Sequence, residues 1–186
     1  LGDDDHDFRP VLADFGTTTQ EFHIGAGSVA VPGMVAGMFD IHRALGKLPM
    51  RDLLAPSIAL ANDGVTIRPF DAHVLGVVGA IFNSTPGCAN LFSSPSVDES
   101  LLQTGDAYRC PDLADCLDAL ASEGEDLFYR GEISGLVASS VESGGHLRRR
   151  DLERYEVRQH PALSLNYGNA TVATNPPPAS GGVLIA

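Results

Sequence analysis

Apolar residues recur with the period of an α-helix through the middle of the chain. One stripe lies between Pro32 and Gly46 and consists of Met34, Met38, Ile41 and Leu45. Its spacing of i, i+4, i+7 and i+11 predicts a helix that turns these side chains towards a core. A proline at the beginning and a glycine after the last turn fit the two ends of such a helix.

Further apolar stripes of helical period follow along the chain. They consist of Leu53, Leu54, Ile58 and Ala61; Phe70, Val74, Val77, Val78 and Ile81; Leu113, Cys116, Leu117 and Leu120; and Ile133, Val137 and Val141. We expect a helix over each, the first with a kink or restart at Pro56, which removes a backbone N–H. Gly, Ser and Pro cluster in residues 86–110 and predict mostly a long surface loop. Residues 1–28 are polar and irregular, and we expect a loop or tail there.

The period changes to two near the end of the sequence. Apolar residues alternate with polar ones at Leu163, Leu165 and Tyr167. Gly168-Asn169 is a turn signal before residues 171–174, so the pattern predicts a β-hairpin. The apolar run 183–186 has neither a cap nor a breaker. We therefore expect that the natural polypeptide continues past Ala186 or that a second chain completes the fold.

Composition and charge bound the class of protein. The chain has 186 residues, 44% hydrophobic and 19% charged, which is enough apolar surface for a folded core. Its 12 Lys and Arg against 24 Asp and Glu give a formal net charge of −12, which disfavours nucleic acid and anionic lipid as partners. No apolar stretch approaches the ~20 residues that cross a bilayer, so we predict no membrane span. No signal peptide is recognisable from Leu1 onwards.

The residues considered one by one indicate no active site. Thr17–Thr19 are internal, whereas a threonine that uses its own α-amino group as base must begin a chain, so we expect a polar loop there. No two of the six histidines have zinc-ligand spacing, and His42 is expected on a solvated helix face. Arg148–Arg150 lies beside acidic residues and is expected to be a partly neutralised surface. Close packing or turn geometry, rather than a phosphate loop, is expected of the glycines at 25, 27, 33 and 37.

Six segments, in the same order along the chain, resemble motifs of the γ-glutamyltransferases, also called γ-glutamyltranspeptidases or glutathione hydrolases. The segments are V-P-G-M-V-A-G at 31–37, G-K-L-P at 46–49, D-L-L-A-P-S-I at 52–58, F-Y-R-G-E-I at 128–133, G-G with D-L-x-x-Y at 144–155, and P-P-P-A-S-G-G at 176–182. Their common order identifies the chain, by resemblance, as a member of this family.

The resemblance implies an α+β chain that is the helix-rich part of the αββα fold of N-terminal-nucleophile hydrolases, with a C-terminal β-hairpin. It divides the chain into a polar loop or tail over 1–28 and a large-subunit segment over 29–186, incomplete at both ends. In this family a precursor cleaves itself, and the new N-terminal Thr of the small subunit attacks the γ-glutamyl amide carbonyl. The matched motifs belong to the large subunit. The resemblance therefore places the nucleophile outside this chain.

The implied activity is the cleavage of γ-glutamyl amides such as glutathione, with transfer of the glutamyl group to water or to an amino acid or peptide. The implied partners are this small molecule and a small catalytic subunit or downstream segment of the same precursor. The chain alone is expected to be inactive, no metal or organic cofactor is implied, and a periplasmic or secreted enzyme is compatible with the resemblance.

One substrate-binding residue is implied within the chain. The family binds the donor's α-carboxylate with an Arg in a D-F-R-E-x-A-P context, and Asp7-Phe8-Arg9 resembles its start. Residues 10–12 depart from the rest of that motif. Arg9 is therefore the candidate substrate-binding residue, with an exposed tail arginine as the alternative. Two alternatives for the whole chain are a related acylase that cleaves glutaryl-type amides and a non-catalytic helical interaction module.

Overall fold

The computed structural model describes residues 6–185, in two units that meet in sequence between Tyr155 and Glu156. The helices are α1 (Met34–Leu45), α2 (Met50–Asp63), α3 (Pro69–Val77), α4 (Gly79–Phe82), α5 (Pro86–Leu91), α6 (Pro111–Glu123), α7 (Asp126–Tyr129), α8 (Glu132–Ser140) and α9 (Arg149–Glu153) in the first unit, and α10 (Ser180–Ile185) in the second. Within the described residues, antiparallel strands pair as β1 (Arg9–Asp14) with β2 (Thr19–Ile24), β3 (Val65–Thr66) with β4 (Ala107–Tyr108), and β5 (Leu163–Tyr167) with β6 (Ala170–Thr174). This mixture of helices and small sheets confirms the α+β class.

The ends of α1 lie close to the predicted proline and glycine signals, Pro32 and Gly46. Gly33 precedes α1, and the N–H of Gly46 donates to the carbonyl of His42 at 2.7 Å to close its C-terminus. The helix α2 continues unbroken through Pro56, so the expected restart is wrong. The helix α2 packs along α6, and it remains one continuous helix although Pro56 provides no backbone N–H.

The N-terminal region is a β-hairpin over residues 9–24, so the loop expected there is wrong for those residues. Arg9 pairs with Ile24 and Asp14 pairs with Thr19 in an antiparallel register. The carboxylate of Asp14 accepts from the N–H of Gly16 at 2.7 Å, and Gly16 has a φ of 83° that favours glycine. The Asp-x-Gly turn is the local signal that identifies this hairpin in the sequence.

Residues 86–110 are also more ordered than the expected surface loop, since they contain α5 and β4. Leu101 and Leu102 are buried, and the side chain of Asp106 is buried beside them. Its carboxylate accepts hydrogen bonds from Ser94 Oγ at 2.5 Å, Ser96 Oγ at 2.5 Å and the N–H of Gln103 at 2.8 Å. A buried carboxylate that is fully bonded in this way organises a segment whose composition indicates only a loop.

The apolar stripe of α1 faces away from the rest of the first unit. Exposed fractions along it are Met34 75%, Met38 50%, Ile41 62% and Leu45 77%. The expected inward orientation is therefore wrong within residues 6–185. The opposite side attaches the helix, through buried Ala36 and through Arg43 Nη1, which lies 2.8 Å from Glu125 Oε1.

The second unit contains the predicted hairpin. Tyr167 pairs with Ala170 across the two-residue turn, where Gly168 has a φ of 58°. Downstream, Gly182 is buried in α10, whereas Val183, Leu184 and Ile185, which follow it, are exposed.

Candidate functional site

Three of the six motif segments meet at one buried tyrosine in the first unit. Tyr129, from F-Y-R-G-E-I, is 3% exposed, and its hydroxyl donates to the carbonyl oxygen of Pro32 at 2.6 Å. The same hydroxyl accepts from the N–H of Ala36 at 3.1 Å. The ring of Tyr155, from D-L-x-x-Y, stacks on Tyr129 with 5.5 Å between centroids. The V-P-G segment is therefore held by the other two motifs.

The hydroxyl of Tyr129 takes the place of a helix cap. Ala36 lies in the first turn of α1, where backbone N–H groups have no partner within the helix, and Gly33 at the N-cap has no side chain to offer. A Cβ at Gly33 would overlap the hydroxyl of Tyr155, so a side chain there would push the stack apart. Burial raises the pKa of Tyr129, which keeps the donating proton in place. This cluster positions α1 and carries no nucleophile or base.

The candidate substrate-binding residue, Arg9, begins β1 and pairs with Asp7 two residues before it. Arg9 Nε donates to Asp7 Oδ1 at 3.0 Å, and the two side chains are 51% and 44% exposed. Asp7 Oδ2 accepts from the N–H of Ala26 at 3.2 Å. The hydrogen bond from Arg9, followed by that from Ala26, lowers the pKa of Asp7. Arg9 is therefore held by a carboxylate, unlike an arginine of a free tail.

The backbone of Asp7 lies between two glycine-containing segments. Its N–H donates to the carbonyl of Gly144 at 3.0 Å, and its own carbonyl accepts from the N–H of Gly27 at 2.8 Å. A Cβ at Gly25, where φ is 101°, would overlap Asp7. Close packing, as expected from the sequence, therefore explains Gly25 and Gly27.

The outer edge of the Arg9 guanidinium, formed by its two Nη groups, has no hydrogen-bond partner among the described residues. With residues 6–185 the guanidinium forms one hydrogen bond, the one through Nε to Asp7. The two Nη groups present parallel N–H donors, a geometry that matches the two oxygens of a carboxylate. The arrangement can therefore bind a small carboxylate.

A histidine pair adjoins this site, although no sequence spacing predicts it. His6 Nε2 lies 2.9 Å from His146 Nδ1, and the ring centroids are 3.8 Å apart. No group of three His, Cys, Asp or Glu side chains within residues 6–185 forms a candidate metal site. In the same part of the chain no helix is both long and apolar enough to cross a membrane.

The threonine run is a turn, as expected. The carbonyl of Thr18 accepts from the N–H of Phe15 at 2.9 Å, and Thr19 begins β2. All three threonines are exposed and internal to the chain.

Histidine and arginine side chains near the helix ends have mostly structural partners. His42 Nε2 lies 2.7 Å from the carbonyl oxygen of Leu48 and is half-buried, so the expected solvated role is wrong. In the arginine run, Arg149 Nε lies 3.0 Å from Glu153 Oε1, which confirms a partly neutralised surface.

Comparison with known proteins decides the family. A family model described as Gamma-glutamyltranspeptidase matches residues 7–186. The chain belongs to the gamma-glutamyltranspeptidase family. Among its relatives, Glutathione hydrolase 3 of Arabidopsis thaliana is 32% identical over 161 residues, which are 86% of this chain and 25% of that protein. Glutathione hydrolase proenzyme of Pseudomonas aeruginosa is 32% identical over 164 residues, 88% of this chain and 28% of that protein. The chain thus spans between a quarter and a third of these relatives.

Solved structures of gamma-glutamyltranspeptidases have the same fold. The enzyme from Helicobacter pylori superposes with a TM-score of 0.77 at 27% identity, over 87% of this chain and 46% of that chain. Cephalosporin acylase from Bacillus halodurans superposes with a TM-score of 0.69 at 25% identity, over 80% of this chain and 28% of that chain. The expected N-terminal-nucleophile hydrolase fold is confirmed.

Proposed function

We propose that this chain is a portion of the large subunit of an enzyme that cleaves γ-glutamyl amides such as glutathione. Family membership from Asp7 onwards supports this proposal, because the matched region includes Arg9. The relatives named glutathione hydrolases support the same substrate class. The motifs of this chain resemble those of the large subunit, so the proposal assigns the nucleophilic Thr to a small catalytic subunit or a downstream segment of the same precursor.

The reaction passes through an acyl-enzyme. The Thr hydroxyl oxygen attacks the γ-carbonyl carbon while its α-amino group takes the hydroxyl proton. The C–N bond of the tetrahedral intermediate then breaks, and the proton leaves with the amine. Water or the amino group of an acceptor attacks the resulting ester and releases the Thr. Within this scheme, the present chain contributes substrate binding.

The single observation that carries this assignment is the open Nη edge of Arg9. Its parallel donors bind the donor's α-carboxylate in a bidentate manner. A chain with a formal net charge of −12 does not attract an anionic donor over long distances, so binding depends on such local donors. Arg9 is paired and placed by Asp7, which favours a binding role over that of a tail residue.

Reconstitution tests the proposal. The chain alone and the chain expressed together with its catalytic segment are each incubated with a γ-glutamyl anilide, and aniline release is followed. We expect release from the complete enzyme alone. Activity of the isolated chain would contradict the external nucleophile. Inactivity of the complete enzyme towards every donor would favour the non-catalytic helical module.

A second candidate is a glutaryl-type acylase. The structural similarity to a cephalosporin acylase supports it. Competition between γ-glutamyl and glutaryl donors on the complete enzyme distinguishes the two. Preference for the γ-glutamyl donor supports the leading proposal, and preference for the glutaryl donor supports the acylase.

A further inference from the structure

We propose that Asp7 is a positioning residue, which holds Arg9 by Nε so that the Nη1–Nη2 edge receives the donor's α-carboxylate end-on. This inference rests on the proposed role of Arg9 in substrate binding.

The two carboxylate oxygens of Asp7 have separate partners. Oδ1 lies 3.0 Å from Arg9 Nε, and Oδ2 lies 3.2 Å from the N–H of Ala26. A guanidinium can bind a carboxylate either from the side, through Nε and one Nη, or from the end, through both Nη groups. Asp7 occupies Nε. The end-on mode is the one left for a substrate.

The position of Asp7 is itself set by backbone contacts. The N–H of Asp7 donates to Gly144 at 3.0 Å, and its carbonyl accepts from Gly27 at 2.8 Å. A side chain at Gly25 would overlap Asp7, so this approach depends on glycine. Asp7 is thus fixed by two segments distant in sequence, and its hydrogen bond with Nε fixes the orientation of the Arg9 side chain. A freely rotating arginine would lose more side-chain entropy on binding.

A direct contact of Asp7 with the donor's α-ammonium group is the competing explanation. The two roles respond to different parts of the donor. If Asp7 positions Arg9, its loss raises KM for any donor that has the carboxylate. If Asp7 contacts the ammonium group, its loss raises KM for any donor that has the amino group.

Three donors separate these roles in the complete enzyme. They are a γ-glutamyl anilide with both groups, a glutaryl anilide with the carboxylate alone, and a 4-aminobutyryl anilide with the amino group alone. Each is measured as a substrate, or as a competitor if turnover is slow. Asp7→Ala is expected to raise KM about two- to fivefold for the first two donors, at similar kcat, and to leave the third unchanged. Asp7→Glu should recover part of the affinity.

Other outcomes overturn the proposal. A larger KM for the γ-glutamyl and 4-aminobutyryl donors alone would assign Asp7 to the ammonium group. An equal loss for all three donors, with a lower Tm, would make Asp7 purely structural.

Arg9 variants keep this test separate from the proposed function. Arg9→Gln is expected to raise KM for the two carboxylate donors about tenfold. The Asp7→Ala/Arg9→Gln double variant should have the same KM as Arg9→Gln, because Asp7 acts only through Arg9. If Arg9→Gln leaves KM unchanged for the carboxylate donors, Arg9 does not bind the substrate, and the proposed role of Asp7 is overturned as well. If Arg9→Gln raises KM but Asp7→Ala does not, the proposed role of Asp7 is overturned and that of Arg9 is kept.

Glu153→Gln is a matched control. The Arg149–Glu153 pair has the same 3.0 Å Nε–oxygen distance, and its side chains are 55% and 43% exposed, close to those of the Arg9–Asp7 pair. We expect this variant to leave KM unchanged for all three donors.

Discussion

The hydroxyl of Tyr129 donates a 2.6 Å hydrogen bond to the backbone carbonyl of Pro32, 97 residues earlier in the chain. It also accepts from the N–H of Ala36 at 3.1 Å. One side chain thus closes the N-terminus of α1 and attaches it to α7. The V-P-G and F-Y-R-G-E-I motifs, far apart in sequence, form one structural unit because of this contact.

Tyr129→Phe is expected to lower the free energy of unfolding by about 1–3 kcal/mol, because it leaves the buried N–H of Ala36 and the carbonyl of Pro32 without a partner. Chemical denaturation measures the change. Tyr155→Phe is the control, since the stacked ring is kept and its hydroxyl makes no hydrogen bond with residues 6–185. Equal stability of the Tyr129→Phe variant and the unmodified protein would show that the hydroxyl does not cap α1.

Gly33→Ala is expected to destabilise the protein by about 1–3 kcal/mol through overpacking, because the new Cβ would overlap the hydroxyl of Tyr155. The backbone at Gly33, with φ −93° and ψ −10°, accepts alanine without strain, so the loss reports the overlap.

Gly37→Ala is the matched control within the same helix. Nothing lies within 4 Å of a Cβ at this position. Alanine should stabilise α1 here by about 0.5–1 kcal/mol, since it has the higher helix propensity. Opposite signs for the two substitutions are the expected result in thermal or chemical unfolding, and two losses of similar size would contradict the packing explanation.

Asp106 predicts a dependence of stability on pH. Hydrogen bonds from Ser94, then Ser96 and Gln103, lower the pKa of its carboxyl below the ordinary 3.8. A carboxyl with a lowered pKa in the folded state adds stability above its ordinary pKa and loses this contribution as pH falls through the folded value. The Tm of Asp106→Asn should therefore lie below that of the unmodified protein at pH 7, and the gap should narrow below about pH 4. Exposed Asp98, in the same segment, is the control, and its Asn variant should leave the Tm at pH 7 close to that of the unmodified protein.

Burial predicts opposite outcomes for two leucines. Leu152 is fully buried, and Leu152→Ala should lower the free energy of unfolding by about 2–5 kcal/mol because it leaves a cavity. Leu45 is 77% exposed, and Leu45→Ala should change that free energy of this chain by less than about 0.5 kcal/mol. A large loss at Leu45 in the chain alone would mean that the stripe of α1 is covered in solution.

Local chemistry alone predicts the ends of α1 and the final hairpin. The signals are Pro32, Gly46 and the Gly168-Asn169 turn, and each acts within a few residues of itself. The family motifs in the same sequence predict the fold class and indicate Arg9 as the candidate substrate-binding residue. The surface loop predicted from the composition of residues 86–110 is wrong. A polar loop and a segment organised around buried Asp106 have similar amino-acid content, so composition does not distinguish them.

Tertiary structure decided which faces and side chains meet. Periodicity shows that α1 has an apolar stripe, but the direction of that stripe depends on what packs against the helix, and within residues 6–185 its opposite side is packed. The contacts of Tyr129 with Pro32 and of Asp7 with Gly144 join residues about a hundred or more positions apart. No local pattern contains such a pairing, because hydrogen-bond distance arises only once the intervening chain has folded.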